Sequence, residues 1–336
     1  MNAIYSITAA SGTTQGALAQ KWAQGATGLC AGYTSLVPAQ IGGKLILFAF
    51  NKTTQQLDAY TLTGSDPWVT QTPCKANLTG GPWDTLNSFV LGNVRYLLTY
   101  RADSGGFGFY AVAEDLTVAP PYIFSASHTT PSKGFTTVAP YTSLNGQYVL
   151  GYDFAAGRVE NFSVTVTPSS TGGKPALLAV NVWYHLWAPG WTNFAFFQLG
   201  GSNFFFKINT AKLNVNIDHM QDNPAMGSIE IGSQLQSQLP DALSISAAAI
   251  VPWAHGDPYL LTYIASSGVA AFYRIHSDCL GWTLQVSSTT VTGSSLAVPY
   301  RIGDTSYVLL YQSAAVAGKA PAGEAQAGKA QLRKAR

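Results

Sequence analysis

An all-β ring of six four-stranded blades is predicted for this 336-residue chain, on three observations. A segment recurs six times at a spacing of about 50 residues, a period in the range that marks propeller blades. Each copy is followed by a Gly, Asn or Asp pair, the chemistry that supplies the positive φ of a two-stranded hairpin. The chain opens on a strand of the third-strand type and closes, before its tail, on a first and a second strand only. The two ends therefore complete one another as a six-bladed β-propeller.

The first strand of each blade is announced by Tyr33-Thr34-Ser35-Leu36, Trp83-Asp84-Thr85-Leu86, Phe135-Thr136-Thr137-Val138 and Trp191-Thr192-Asn193-Phe194. Looser copies are Ala247-Ala248-Ala249-Ile250 and Ser294-Ser295-Leu296-Ala297. The turns are Gly42-Gly43, Gly92-Asn93, Asn145-Gly146, Gly200-Gly201, Gly256-Asp257 and Gly303-Asp304. A short apolar run follows each turn and in most copies ends on an aromatic, as in Tyr96 to Tyr100 and Tyr148 to Tyr152, which reads as a buried strand. Third strands carry an aromatic, one intervening residue and an aliphatic: Tyr60-Thr61-Leu62, Tyr110-Ala111-Val112, Phe162-Ser163-Val164 and Tyr273-Arg274-Ile275. Blade 4 departs from this, with Asn216-Ile217-Asp218 in the slot. The N-terminal Ile4-Tyr5-Ser6-Ile7-Thr8 reads as a lone third strand that pairs with residues 307 to 311, closing the ring and removing its open edges. Residues 1–313 form one domain on this reading, and 314–336 an Ala-, Gly- and Lys-rich tail.

Composition narrows the function. Charged residues make up 10% of the chain, against an average of about 25%, and the net charge is +2, which leaves no basic stripe for nucleic acid. No apolar run reaches the roughly 18 residues of a membrane span. Sequons at Asn51, Asn77 and Asn161, about as many as a chain this rich in Ser and Thr makes by chance, are read as minor support for a secreted or extracytoplasmic protein whose signal is absent from this sequence, with a cytoplasmic protein as the alternative. Cys30, Cys74 and Cys279 are an odd count without metal-ligand spacing, and are read as free thiols with a Cys30–Cys74 bridge as the alternative. The sequence has no Gly-x-Ser-x-Gly elbow, phosphate-cradling loop or His-Glu-x-x-His pair, and no cofactor or metal is assigned.

Two mouths of the channel carry chemistry. The face on which first strands begin receives Tyr33, Trp83, Phe135 and Trp191, one aromatic per blade, which either wedge the blades together or bind a ligand. The same face receives His128, His185, Arg101 and Asp84, an imidazole, guanidinium and carboxylate set suited to proton transfer and charge stabilisation. On the opposite face His219 and His276 are read as equivalent positions in blades 4 and 5, filled by small residues elsewhere. With Asp218, Asp222, His255, Asp257 and Asp278 they make a solvated polar rim.

Six short aromatic-rich blades resemble the fungal and bacterial fucose-binding propeller lectins. The size and uncharged composition resemble the propeller-like hetero-Diels-Alderases of fungal tropolone-sesquiterpenoid biosynthesis. The first resemblance implies repeated glycan sites. The second implies a cofactor-independent enzyme of cyclase, pericyclase or lyase type. The charged and imidazole groups occur in particular blades only, which favours one specialised small-molecule site in the channel mouth over a multivalent lectin.

Overall fold

The computed structural model describes residues 1–313 apart from 9–15, 25–27, 75, 77, 120–121, 124–130, 144–145, 168–175, 210–211, 213, 224–226, 239–243 and 252–257. The tail beyond residue 313 lies outside the described residues. The strands run β1 (Ala3–Thr8), β2 (Ala17–Ala23), β3 (Ser35–Ile41), β4 (Lys44–Asn51), β5 (Gln56–Leu62), β6 (Val69–Thr72), β7 (Thr85–Leu91), β8 (Val94–Arg101), β9 (Gly106–Val112), β10 (Tyr122–Ile123), β11 (Thr137–Ser143) and β12 (Gly146–Tyr152). They continue with β13 (Arg158–Thr167), β14 (Ala176–Leu186), β15 (Trp191–Leu199), β16 (Ser202–Asn209), β17 (Asn214–Asn223), β18 (Gly227–Gln238), β19 (Ala247–Val251), β20 (Tyr259–Ile264), β21 (Val269–Ile275), β22 (Trp282–Thr289), β23 (Leu296–Ile302) and β24 (Thr305–Tyr311).

These strands form six antiparallel four-stranded sheets, a six-bladed β-propeller. Blades 1 to 5 are consecutive quartets from β3 to β22, and blade 6 is ordered β2-β1-β24-β23. First strands touch in the cyclic order β3, β7, β11, β15, β19, β23 and back to β3, so they line the axis. Second strands are sandwiched between neighbouring blades, which is why Leu45 to Phe50 and Ser306 to Tyr311 are buried without alternation.

Closure is as the termini imply, with one addition. Ala3 pairs with Leu310, Tyr5 with Val308 and Ile7 with Ser306, while β2 packs outside β1 through Ile7 and Leu18. The N-terminus thus supplies the third and fourth strands of blade 6, not a lone third strand.

Strand pairing gives the blades a common register and corrects three alignments. The third-strand aromatic slot faces the fourth residue of the second strand, as in Leu47 with Tyr60, Leu97 with Tyr110 and Val149 with Phe162. In blade 4 that pair is Phe205 with Asp218, so Asp218 and not Asn216 replaces the aromatic. By the same count His219, opposite Phe204, corresponds to Thr61 and Ser163, whereas His276 lies beyond the end of β21; the two histidines are not equivalent. In blade 5 the aromatic-led position falls at Ile245-Ser246. There the Ser246 hydroxyl accepts the Ala265 N–H as the Thr34 and Thr136 hydroxyls accept those of Lys52 and Phe154.

In four of the six blades a tyrosine at the end of the second strand links its blade to the next; blade 4 has Ile208 there. The Tyr311, Tyr100, Tyr152 and Tyr263 hydroxyls donate to the carbonyls of Cys30, Ser132, Ala188 and Val291 at 2.7, 2.5, 2.9 and 2.6 Å. They accept the N–H groups of Tyr33, Phe135, Trp191 and Ser294 at 3.1 to 3.2 Å. Phe50 stands at this position in blade 1 and has no hydroxyl. Gln55 takes over, accepting the Trp83 N–H at 2.7 Å and donating to the Trp83 carbonyl at 3.0 Å.

All three cysteines are free thiols. Burial pushes the Cys74 and Cys279 thiols up to about 11. The Asn161 side chain is fully buried and accepts the Tyr141 hydroxyl, so that sequon is closed to modification. Among the described residues no helix is long and apolar enough to cross a membrane.

Candidate functional site

Blade 4 breaks the repeat at three inward positions that all lie in its seam with blade 3. Lys207 occupies a slot filled by Ala49, Thr99, Gly151, Thr262 and Leu310 in the other blades. Asp218 occupies the aromatic slot. The two form an ion pair of 2.5 Å with side chains only 3% and 0% exposed. The ammonium lies 3.7 Å from the Trp187 ring centroid, 4.7 Å from that of Trp191 and 5.2 Å from that of Phe205, so π faces and one carboxylate replace its water.

The third departure is Phe196. Its partner is Phe205, and the matching first-strand positions are Pro38, Ser88, Pro140, Ile250 and Pro299, opposite Leu47, Leu97, Val149, Leu260 and Val308. Proline is tolerated there because the first strand is the inner edge of its sheet and its outward N–H pairs with nothing in the ladder. The Phe196 ring stacks on Tyr141 of blade 3 with centroids 4.3 Å apart and planes 3° from parallel.

Beside this stack, on the face that carries the hairpin turns, a cleft of about 320 Å³ opens between the blades. Pro140, Tyr141 and Thr142 line one side, and Phe196, Phe197, Gln198, Asn203 and Phe204 the other. The Gln198 amide donates to the Asn203 carbonyl oxygen at 2.9 Å, and the Thr142 hydroxyl meets the Gln147 side chain at 2.9 Å. The lining thus offers flat apolar surface, amide donors and acceptors and a hydroxyl, with no carboxylate, imidazole, amine or thiol among its residues. The neighbouring hairpins are long. β13 and β17 run to Thr167 and Asn223, five residues past their aromatic slots, whereas β5, β9 and β21 stop two residues past theirs. At about 3.3 Å per residue the extra strand raises the outer wall of blades 3 and 4 by about 10 Å on the face that bears the cleft.

The residues singled out from sequence lie elsewhere. Tyr33, Trp83, Phe135 and Trp191 are 2%, 5%, 2% and 6% exposed and wedge between blades. Trp83 meets Tyr110 edge-on, Phe135 stacks on Tyr100, and Trp191 covers Lys207. The Phe135 ring rests on Gly151, where an added Cβ would collide with it. Asp84 takes the place of the repeat's Thr or Ser and accepts the Ala102 N–H at 2.9 Å. Arg101 donates to the Ser104 hydroxyl and to the Gly80 carbonyl, and pairs with Asp103 at 3.4 Å. His185 is exposed near the end of β14, its ring stacked on Trp183 at 5.8 Å. No hydrogen bond or ion pair joins Asp84, Arg101 and His185 to one another among the described residues, and His128 lies outside them.

Tyr141, Phe196, Gln198 and Asn203 were not singled out in the sequence. The signal for Phe196 was present: it stands four residues before Gly200, as Pro38 and Pro299 stand four before Gly42 and Gly303. No family model matches the chain, and no curated protein sequence matches it. Solved structures with a similar course include a putative 6-phosphogluconolactonase from Bacteroides fragilis, at 13% identity over 88% of this chain and 84% of that one, TM-score 0.49. A periplasmic gluconolactonase from Pseudomonas aeruginosa has 12% identity over 87% and 97%, TM-score 0.43. An α-L-arabinofuranosidase from Clostridium thermocellum has 12% identity over 76% and 94%, TM-score 0.46. Likeness this distant carries no information about chemistry.

Proposed function

We propose that the protein binds one small uncharged molecule in the cleft between blades 3 and 4. The observation that carries this reading is Phe196: a repeat that uses proline or a smaller side chain at this position departs from it in one blade, and the departure puts an aromatic ring, backed by Tyr141, beside free space. A volume of about 320 Å³ lies at the small end of the range for ligand sites, about 300–1,000 Å³. The ligand that fits has one flat apolar face to lie against the half-buried Phe196 ring, which the buried Tyr141 backs from the other side. Its hydroxyl or carbonyl edge meets Gln198, Asn203 and Thr142. A single sugar ring meets this description, and so does a small oxygenated hydrocarbon skeleton. The multivalent lectin has less support, because the Phe196 ring belongs to one seam. Proton transfer by His185 with Arg101 and Asp84 also has less support, because Arg101 and Asp84 are committed to loop contacts and His185 stands apart from both.

The test is a calorimetric screen of neutral monosaccharides and neutral oxygenated terpenoids against wild type and Phe196→Pro. The substitution restores the residue of blades 1, 3 and 6, so the far-ultraviolet circular dichroism should stay unchanged. A ligand bound at one site per chain and weakened at least about tenfold by the substitution is the expected result. Equal binding by both proteins, or three or more equivalent sites, would overturn it.

A further inference from the structure

A second cavity, unrelated to the cleft, lies on the rim of blade 1. It measures about 380 Å³ and is lined by Asp58, Ala59, Gln71, Thr72, Pro73 and Cys74. Asp58 is half-buried on β5, and its hydrogen bonds all come from neutral donors. The Tyr33 hydroxyl donates to Oδ2 at 2.5 Å, and the Gln56 amide donates to Oδ1 and Oδ2 at 3.0 and 2.9 Å. No Lys, Arg or His among the described residues forms an ion pair with it.

Blade 3 shows the same slot with a cation in place. Asp58 pairs with Ala49 as Glu160 pairs with Gly151, and two residues earlier Gln56 corresponds to Arg158. Arg158 Nε lies 3.7 Å from Glu160 Oε1, and its guanidinium carbon lies 5.9 Å from the centroid of Phe135, the counterpart of Tyr33. Blade 1 therefore keeps the carboxylate and the aromatic ring, replaces the arginine by a shorter neutral amide, and has open volume beside Asp58.

We propose that this cavity binds a small organic cation, a guanidinium or primary ammonium group, with Asp58 as its counter-ion. The carboxylate is partly withdrawn from water, which strengthens a charge-assisted hydrogen bond relative to one at the open surface. Blade 3 shows that the repeat accommodates a guanidinium beside the carboxylate of this slot.

Methylguanidinium is the probe, with methylurea as its neutral isostere, titrated by calorimetry at constant ionic strength. Saturable millimolar binding of methylguanidinium and none of methylurea is expected. Asp58→Asn should weaken it at least about tenfold by removing the counter-ion. Gln56→Arg should block it while keeping Asp58, because the new side chain supplies the cation as Arg158 does, and circular dichroism checks that both variants fold. Phe196→Pro should bind methylguanidinium normally, which separates this site from the cleft. Failure of the wild type to saturate, equal binding of methylurea, or full binding by both rim variants would each overturn the proposal.

Discussion

Lys207 and Asp218 replace a small residue and an aromatic that every other blade keeps small or apolar. An ion pair this deeply buried is costly to break from one side, since the remaining charge has no water to turn to. Lys207→Met should therefore destabilise the fold by about 3–5 kcal/mol in urea denaturation. Lys207→Ala with Asp218→Tyr rebuilds the Ala49 and Tyr60 combination of blade 1 and should cost much less than the two single changes added. A cycle that came out additive would mean the two groups do not act as a pair. The polar break in blade 4 was legible in sequence, but its register was not. Side chains on a strand repeat every two residues, so sliding Asn216 into the place of Asp218 leaves the same face buried, and no aromatic was there to anchor the alignment. Phe196 escaped for the opposite reason. A phenylalanine in a chain rich in aromatics looks ordinary until it is set against the prolines of its sister strands.

At the scale of the element, the apolar second strands and the turns at Gly42, Gly92, Gly200 and Gly303 followed from periodicity, while the fourth strand of blade 6 did not; Asn145 and the Gly256-Asp257 turn lie outside the described residues. The links between blades did not follow from it either. The aromatic ending of the second strands was visible, but the use of its hydroxyl is a contact with the next blade, across 36 residues from Tyr152 to Ala188. In Tyr152→Phe the Trp191 N–H and the Ala188 carbonyl lose their buried partner, with an expected loss of about 1–3 kcal/mol. Faster hydrogen exchange confined to the approach to β15 is the accompanying signature. Blade 1, which already has Phe50, predicts that a glutamine from the following loop can serve instead, as Gln55 does. The sequence could not decide between wedge and platform for Tyr33, Trp83, Phe135 and Trp191, because one aromatic per blade satisfies either role. Burial decides it, and places all four in the wedge.

The molecule as a whole buries many phenols. Burial raises Tyr5, Tyr33, Tyr60, Tyr100, Tyr110, Tyr152, Tyr300 and Tyr311 above the ordinary value near 10, with Tyr60 and Tyr110 pushed up to about 12. Below pH about 10 both folded and unfolded chains hold these protons and the full stability is present. Above it the unfolded chain releases them first, so it binds fewer protons than the folded one and stability falls as pH rises. The tyrosinate absorbance of these eight buried groups and the loss of near-ultraviolet circular dichroism should consequently appear together in one steep transition. Gradual ionisation with the fold intact would contradict this.

The shared sixth blade also sets a timetable for synthesis. β1 and β2 leave the ribosome ahead of the ring's other strands, yet β24, the partner of β1, follows roughly 300 residues later, about 15–60 s at ordinary elongation rates of about 5–20 residues per second. Blades 1 to 5 can each assemble from contiguous chain as they emerge. The opening hairpin cannot, and until the final strands arrive it offers an unpaired edge to any neighbouring nascent chain.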